Sequence, residues 1–154
     1  MKKVMFISST GGHLDELQQL NFKQYDYTVV TEKTDSDKDL KDKYIGKVYY
    51  LAYGTRKNLI KYFFIFLYNF FRSIYLFNKI KPDVVVSTGT HTAVPMCYIA
   101  HFHGKKVIWI ETFANRSTRT LAGRIVYPIA DTFVVQWEEM KKLYKKAVYW
   151  GAIY

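Results

Sequence analysis

Short apolar runs alternate along the chain with longer stretches in which apolar residues recur at helical spacing. Residues 4–7 form a continuous apolar run, typical of a strand buried on both faces of a parallel sheet. Further strands are predicted at 27–31, 47–51, 83–87, 106–110, 132–135 and 148–150, and helices at 14–20, 57–81, 91–103, 117–127 and 138–145. This alternation predicts an α/β fold, a Rossmann-like doubly wound parallel sheet, in a single domain over 1–154.

The turn after the first strand has the sequence Ser-Ser-Thr-Gly-Gly-His at 8–13 and precedes a helix. Glycines allow a backbone to approach an anion closely, and the first N–H groups of a helix have no partner within it. We therefore predict phosphate contacts at Thr10, Gly11 and Gly12, with His13 as a further contact or a general base. The alternative is a strand-to-helix turn that needs glycine only for its dihedral angles.

Two further polar clusters follow predicted strands. Ligands of doubly wound sheets bind beyond the carboxyl ends of the strands, so all three clusters are expected to converge there. Glu111, beside Thr112, interrupts an apolar strand end and is a candidate catalytic carboxylate; the alternative is a salt bridge to Arg116 or Arg119. The cluster after the strand at 83–87, predicted to contact phosphate or sugar, comprises Thr88, Gly89, Thr90 and His91.

The predicted helix at 57–81 combines basic and aromatic residues. Its basic residues are separated by nearly whole helical turns, which places them on one side. A basic stripe opposite an aromatic face is typical of a helix lying in a membrane interface, whereas the alternative is a core helix with a solvated basic edge. The apolar segment 62–71 is short for a span, which takes about 20 residues. The basic stripe is Lys57, Lys61, Arg72 and Lys79, and the opposite face Leu59, Phe63, Phe66, Phe70, Ile74 and Phe77. The predicted membrane contacts are Lys57, Lys61, Phe63, Phe66, Phe70 and Arg72.

Charge and cysteine content narrow the function further. The chain has 23 Lys and Arg against 13 Asp and Glu, a net charge of +10, which favours an anionic partner. The aromatic residues lie in apolar runs and are not interleaved with basic residues on strands, so we expect no nucleic acid. Cys97 is the single cysteine and lies in an apolar segment, which predicts a core thiol in a reducing compartment. We expect no metal, because no histidine pair has suitable spacing with nearby acids, and no cofactor. The run 4–7 is too short for the apolar part of a signal peptide.

A dinucleotide site is the main alternative for the glycine turn. Glu32 ends the second predicted strand, about where a ribose-binding acid is expected. The glycine pattern argues against this function, because Gly11 and Gly12 are adjacent while Ser9 and Asp15 occupy positions that require glycine or a small residue.

Four segments in this order resemble the Alg14 family over nearly the whole chain. They are Ser-Thr-Gly-Gly-His at 9–13, Val-Ser-Thr-Gly at 86–89, Gly-Lys-Lys-Val-Ile-Trp-Ile-Glu at 104–111 and Val-Tyr-Pro-Ile-Ala-Asp at 126–131. That family comprises membrane-bound subunits of split glycosyltransferases, with PssD-type bacterial relatives in capsule and exopolysaccharide assembly. The glycine turn is also similar to that of MurG, a single-chain transferase of peptidoglycan synthesis.

The resemblance implies the N-terminal half of a GT-B fold, which consists of two Rossmann-like halves, one for the acceptor and one for the nucleotide sugar. The donor-binding half is then a separate partner subunit. The pair is expected to transfer sugar from a UDP-sugar to a polyprenyl-pyrophosphate-linked acceptor, held by Gly11, Gly12 and His13, at the cytoplasmic face of the membrane. Glu111 matches the family's acidic residue after the fifth strand. The helix at 57–81 is expected to replace the N-terminal anchor of eukaryotic members.

Two other functions stay open at this point. The chain is either a stand-alone nucleotide-binding module or small enzyme of flavodoxin-like form, or a scaffold whose loops bind nothing. The apolar segment 150–154 is expected either to dock on the partner subunit or to form a last strand inside the core.

Overall fold

The computed structural model describes residues 1–35, 39–45, 47–55 and 57–153. Within these ranges seven parallel strands form one sheet in the order β3-β2-β1-β4-β5-β6-β7. This strand order confirms the predicted doubly wound, Rossmann-like α/β fold. The strands are β1 Lys3–Ile7, β2 Asp26–Glu32, β3 Val48–Leu51, β4 Val84–Ser87, β5 Lys106–Ile110, β6 Thr132–Val135 and β7 Val148–Tyr149.

The helices differ from the predicted ones mainly at their ends. The α-helices are α1 Gly12–Gln18, α2 Leu40–Lys43, α3 Leu59–Ile80, α4 Val94–Phe102 and α5 Leu121–Val126. Helix α3 begins after Asn58, whose side chain accepts a hydrogen bond from the Lys61 N–H, so Lys57 lies before the helix. Helix α5 begins after Thr120, which caps it through the Gly123 N–H, so the predicted start near Ser117 is wrong.

The tighter 3₁₀ geometry occurs in Phe22–Gln24, His91–Ala93 and Glu138–Lys142. The predicted helix at 91–103 is therefore a 3₁₀ turn followed by α4, and the one predicted at 138–145 is a single 3₁₀ segment. Of the polar stretch 34–43, which the sequence indicates as a loop or frayed helix, residues 36–38 lie outside the described ranges and α2 forms the end.

The sheet divides the apolar side chains into two cores. In β1, Met5 and Ile7 pack on the face covered by α4 and α5, whereas Val4 and Phe6 pack on the face covered by α1 and the first 3₁₀ segment. Cys97 of α4 is fully buried in the first core, which confirms the prediction of a core thiol. Helix α3 lies against α4 and β3, so it forms an outer layer on the first face.

Candidate functional site

The first two predicted polar clusters meet at the switch point of the sheet. β1 pairs with β2 on one side and with β4 on the other, and Ile7 is paired with Ser87. The glycine turn and the loop that begins at Thr88 therefore leave neighbouring strand ends. This is the crevice in which doubly wound sheets bind ligands.

His13 and Thr88 hold these two segments together through a pair of hydrogen bonds. The His13 Nδ1 lies 2.9 Å from the Thr88 carbonyl oxygen, and the Thr88 hydroxyl donates to the His13 carbonyl oxygen at 2.6 Å. Because a carbonyl oxygen only accepts, Nδ1 must carry the proton of the neutral imidazole. The lone pair of the ring is then on Nε2, where the ring can accept a proton or a hydrogen bond.

Glycine has a different purpose at each of the two loops. A Cβ on Gly89, whose φ is +106°, would lie 3.0 Å from the His13 Nδ1, so the imidazole fits only over a glycine. Gly11 has a φ of +76°, and a Cβ there would meet nothing within 4 Å. Gly11 and Gly12 are exposed, and within the described residues no protein group accepts from the N–H of Gly12 or His13. The turn therefore offers backbone donors to a ligand.

Glu32 supports the glycine turn from inside the protein. Its buried carboxylate accepts from the Thr92 hydroxyl at 2.6 Å and from the Thr10 N–H at 3.4 Å. It thus links the end of β2 to the turn and to the 3₁₀ segment His91–Ala93. A carboxylate engaged in this way is in line with the argument against a dinucleotide site, in which Glu32 would bind a ribose.

Glu16 is a positioning residue that the sequence analysis missed. Its buried carboxylate accepts from the Thr112 hydroxyl at 2.9 Å, the Phe113 N–H at 3.0 Å and the Gln136 amide at 3.3 Å. Burial raises the pKa of Glu16, and these hydrogen bonds together with the charge of His13 oppose the rise. Through Glu16, α1 is fixed to the loops that follow β5 and β6.

The carboxylate of Glu111 bonds to a different set of groups from those that bind Glu16 and Glu32. It is buried and accepts from the Trp109 indole N–H at 3.0 Å and from the Thr120 N–H at 3.2 Å. A Cβ on Gly123 would lie 2.0 Å from its Oε2, so α5 approaches the carboxylate through a glycine. These contacts support a positioning role at the start of α5, and the catalytic role of Glu111 stays a prediction.

The salt-bridge alternative for Glu111 is wrong. Arg116 bonds to Glu139 at 3.3 Å and lies over the Trp137 ring, while Arg119 lies over the Tyr144 ring. The third predicted cluster is joined to α1 through Glu16, which accepts from Thr112 directly and from Gln136, whose amide also donates to the Glu111 carbonyl oxygen.

Helix α3 exposes most of its apolar surface. Only 17% of its most apolar 18-residue window is buried. Of the predicted aromatic face, Phe63, Phe66 and Phe70 are exposed, but Phe77 is buried and Ile74 packs against the core, so this assignment is wrong for both residues. The exposed surface of α3 also includes other large side chains. These are Ile60, Phe64, Leu67, Tyr68, Phe71 and Tyr75.

The basic residues of α3 differ in their surroundings. Lys61 is exposed, whereas the Arg72 guanidinium lies over the Tyr75 ring at 5.1 Å and the Lys79 ammonium lies over the Tyr49 ring at 5.0 Å. Within the described residues, α3 is the one helix whose length and composition alone would allow it to cross a membrane. The apolar segment 62–71 lies inside this helix, and apolar residues of α3 continue beyond Arg72.

Together, the parallel sheet and the polar loops at its switch point define one Rossmann-like half of the GT-B class. MurG of Acinetobacter baumannii superposes with a TM-score of 0.71 at 19% identity, over 90% of this chain and 43% of that one. MnaA of S. aureus, in its structure with UDP, gives a TM-score of 0.75 at 16% identity, over 99% of this chain and 46% of that one. These likenesses confirm the predicted fold.

The chain belongs to the Alg14 family, since the family described as "Oligosaccharide biosynthesis protein Alg14 like" matches residues 4–153. The UDP-N-acetylglucosamine transferase subunit ALG14 of Rattus norvegicus is 37% identical over 105 residues, 64% of this chain and 49% of that protein. The subunit of the same name in Homo sapiens is 36% identical over 96 residues, 58% of this chain and 44% of that protein. The chain thus spans about half the length of these curated relatives.

Proposed function

We propose that this chain is the acceptor-side, membrane-associated subunit of a two-component glycosyltransferase. A separate donor-binding subunit would supply the UDP-sugar, and this chain would present an acceptor linked to a polyprenyl diphosphate. The observation that carries the proposal is the junction of the glycine turn with the Thr88–His91 loop, because His13 and Thr88 bind each other across the switch point. The names of the relatives, subunits of a UDP-N-acetylglucosamine transferase, support it.

The acceptor diphosphate would bind at the glycine turn. The N–H groups of Gly12, which is exposed, and of His13, which is half-buried, have no acceptor among the described residues and are suitable donors. The net charge of +10 attracts an anionic substrate. The Nε2 of His13 is the natural base for the acceptor hydroxyl, since Nδ1 is held by the Thr88 carbonyl. Thr10 and the loop 88–91 would complete the walls of the site.

Helix α3 would hold the subunit at the cytoplasmic face of the membrane. The Asn69 carboxamide bonds to both the N–H and the carbonyl of Ala52, at 2.8 and 2.9 Å, which ties the middle of α3 to the end of β3. A helix fixed alongside the domain in this way is suited to lie in the interface, with its exposed aromatic residues in the lipid and Lys57, Lys61 and Arg72 near lipid phosphates.

The donor-binding partner would cover the less protected face of the sheet. An open, mostly apolar groove of about 310 Å³ runs over β1, β4 and β5, and Trp150, 61% exposed, lies at its rim. Ile153 is half-buried and its N–H donates to Gln136, so part of the segment 150–154 packs on the domain; Tyr154 lies outside the described residues. Docking of a partner here would cover both Trp150 and the groove.

We place the two-component enzyme in the assembly of a polysaccharide such as a capsule or an exopolysaccharide. This assignment depends on the resemblance to the PssD-type bacterial relatives. The sugar, the linkage and the acceptor residue are set by the pocket that the two subunits form together.

The test is purification of the tagged full chain from membranes, followed by a transfer assay with radiolabelled UDP-N-acetylglucosamine and a polyprenyl-diphosphate-linked sugar. We expect a co-purifying subunit and transfer only when both proteins are present. The variant His13→Ala should lower kcat at least about a hundredfold, as loss of a general base does. The matched control is His101→Ala, which changes an exposed histidine of α4 and should leave kcat unchanged.

Two results would contradict the proposal. Transfer by the chain alone would favour the stand-alone enzyme. Full activity of His13→Ala would show that the imidazole takes no part in the reaction.

A further inference from the structure

A second apolar cleft opens beside the switch point, between α3, the start of α4 and α5. It has a volume of about 670 Å³, within the range of small-molecule sites. Its walls are mainly aliphatic and aromatic, and its polar side chains are few. The lining residues are Leu59, Tyr62, Phe66, Thr90, His91, Val94, Leu121, Ala122 and Ile125.

The polar side of the cleft belongs to the candidate acceptor site. Thr90 and His91 follow Gly89 directly, and a Cβ on Gly89 would lie 3.0 Å from the His13 Nδ1. The Thr90 hydroxyl oxygen is buried and has no hydrogen-bond partner among the residues that the structure describes. A buried polar atom left unpaired is costly, so a ligand group at this position would be favoured. The Tyr62 ring meets the His91 ring edge to face at 5.3 Å and joins α3 to this loop.

The apolar side of the cleft is open along its rim. Leu121 and Ile125 of α5 are 55% and 40% exposed, and Leu59 at the start of α3 is also exposed. Phe66 lines the cleft and also belongs to the exposed aromatic face of α3. The cleft is therefore continuous with the candidate acceptor loops on one side and with the candidate membrane surface on the other.

We propose that this cleft binds the part of the isoprenoid chain that adjoins the diphosphate of the acceptor, an inference that rests on the proposed function. A molecule with an anionic head and a long branched apolar tail fits the arrangement. Its head would reach the glycine turn past Thr90 and His91, and its first isoprene units would lie against Tyr62, Val94 and Ile125. Contact with both head and tail would distinguish a lipid-linked acceptor from a free sugar diphosphate.

The test measures the binding of two probes to the purified full chain by titration calorimetry in vesicle-free buffer. One probe is geranylgeranyl diphosphate below its micelle concentration, and the other is inorganic pyrophosphate. We expect the chain to bind geranylgeranyl diphosphate at least about tenfold more tightly than pyrophosphate. Burial of a few methylene groups contributes more free energy than a tenfold difference in affinity requires. The variant Leu121→Gln/Ile125→Gln should lose this advantage and keep its affinity for pyrophosphate. Both residues are exposed, so the variant should fold, which its urea unfolding midpoint will check.

The matched control is Phe102→Gln, which changes an apolar residue of α4 that is 78% exposed and does not line the cleft. It should bind both probes as the wild type does. Equal affinity of the wild type for the two probes would overturn the assignment of the cleft and leave the diphosphate site intact. Absence of binding to either probe would overturn the proposed acceptor site as well. An equal loss of geranylgeranyl diphosphate binding in Phe102→Gln would show nonspecific adsorption and also overturn the assignment.

Discussion

Helices α3 and α4 lie on the same face of the sheet and are both apolar, but they are covered very differently. Helix α4 packs directly on the sheet and buries Pro95, Met96, Cys97, Ile99 and Ala100. Helix α3 packs on α4 as an outer layer and buries Asn69, Ser73, Leu76 and Phe77 over a much greater length. The comparison shows that apolar composition alone does not reveal whether a helix is covered by its own protein.

Helix α3 also differs from an ordinary surface helix in which of its side chains are buried. Two of its four buried residues are polar, Asn69 and Ser73, while Phe63, Phe64 and Phe71 are exposed. Soluble monomers rarely expose an apolar surface of this kind, and such patches mark interaction with membranes or partners. Helix α3 therefore directs two polar side chains into the protein and several aromatic side chains toward its surroundings.

Thiol reactivity should show the largest contrast between the two helices. Burial raises the pKa of Cys97 on α4 to about 12, from about 9, so at pH 8 its thiolate fraction falls about a thousandfold. In Phe71→Cys, the new thiol on α3 should react with a disulfide reagent at least about a thousandfold faster than Cys97. In denaturant both thiols should react at similar rates, which serves as the control. Rapid reaction of Cys97 in the native protein would contradict its burial.

The raised pKa of Cys97 also makes the stability of the folded protein depend on pH. The folded thiol has the higher pKa, so the folded state binds more protons between about 9 and about 12. The contribution of Cys97 to the free energy of unfolding is therefore full below pH 9 and is lost as the pH rises above it.

Truncation of a side chain to alanine should give the next largest difference between the two helices, in the free energy of unfolding. Met96→Ala on α4 removes a fully buried side chain and should lower the free energy of unfolding by about 2–5 kcal/mol. Phe64→Ala on α3, where the side chain is 63% exposed, should change it by less than about 0.5 kcal/mol. Urea unfolding measures both. Equal losses would mean that α3 is as well covered as α4.

The anchor of α3 should have an intermediate effect. Asn69→Ala leaves the N–H and carbonyl of Ala52 without the partners they have now, at a cost of about 1–3 kcal/mol in the free energy of unfolding. The matched control is Asn78→Ala, an exposed asparagine of the same helix, which should cost little. A stability of Asn69→Ala equal to that of the control would show that this pair of bonds does not hold the helix.

Charge reversal at the start of α3 should have the smallest effect. Lys57→Glu/Lys61→Glu should weaken binding to vesicles containing phosphatidylserine at least about tenfold at low salt, since each basic residue near the surface contributes about 1 kcal/mol. Lys141→Glu/Lys142→Glu changes the net charge equally at the 3₁₀ segment Glu138–Lys142 and should bind nearly as the wild type does. Equal losses in both variants, measured by co-sedimentation, would indicate a general charge effect and not a surface built on α3.

The positions of the central strands were predictable because each of them is an apolar run bounded by polar or turn residues. β5 and β6 have the predicted bounds, 106–110 and 132–135. The convergence of the glycine turn with the Thr88–His91 loop was predictable as well, since parallel topology places the carboxyl ends of β1 and β4 side by side.

The polar contacts between distant segments were not predictable from the sequence. Glu16 bonds to Thr112 across 96 positions, and nothing in the local pattern of α1 distinguishes it from the exposed Asp15. Glu111 was recognisable as an unusual residue at a strand end. The surroundings of its carboxylate were not, because they depend on Gly123, which has no Cβ and so allows α5 to lie beside it. The side of α3 that faces the protein was not predictable either, because the spacing of its aromatic residues does not indicate which side α4 covers.

The pairing of β1 with β4 has a consequence for how the chain acquires its structure. Val4 is paired with Val84, so this junction closes a loop of about eighty residues that contains all of α3. Closure of so long a loop is slow, whereas a helix forms rapidly from local contacts. We therefore expect α3 to form before the layer beneath it is assembled, with its whole circumference accessible. A nascent chain would meet lipid or chaperone at this segment first, and the yield of folded protein should depend on which arrives sooner.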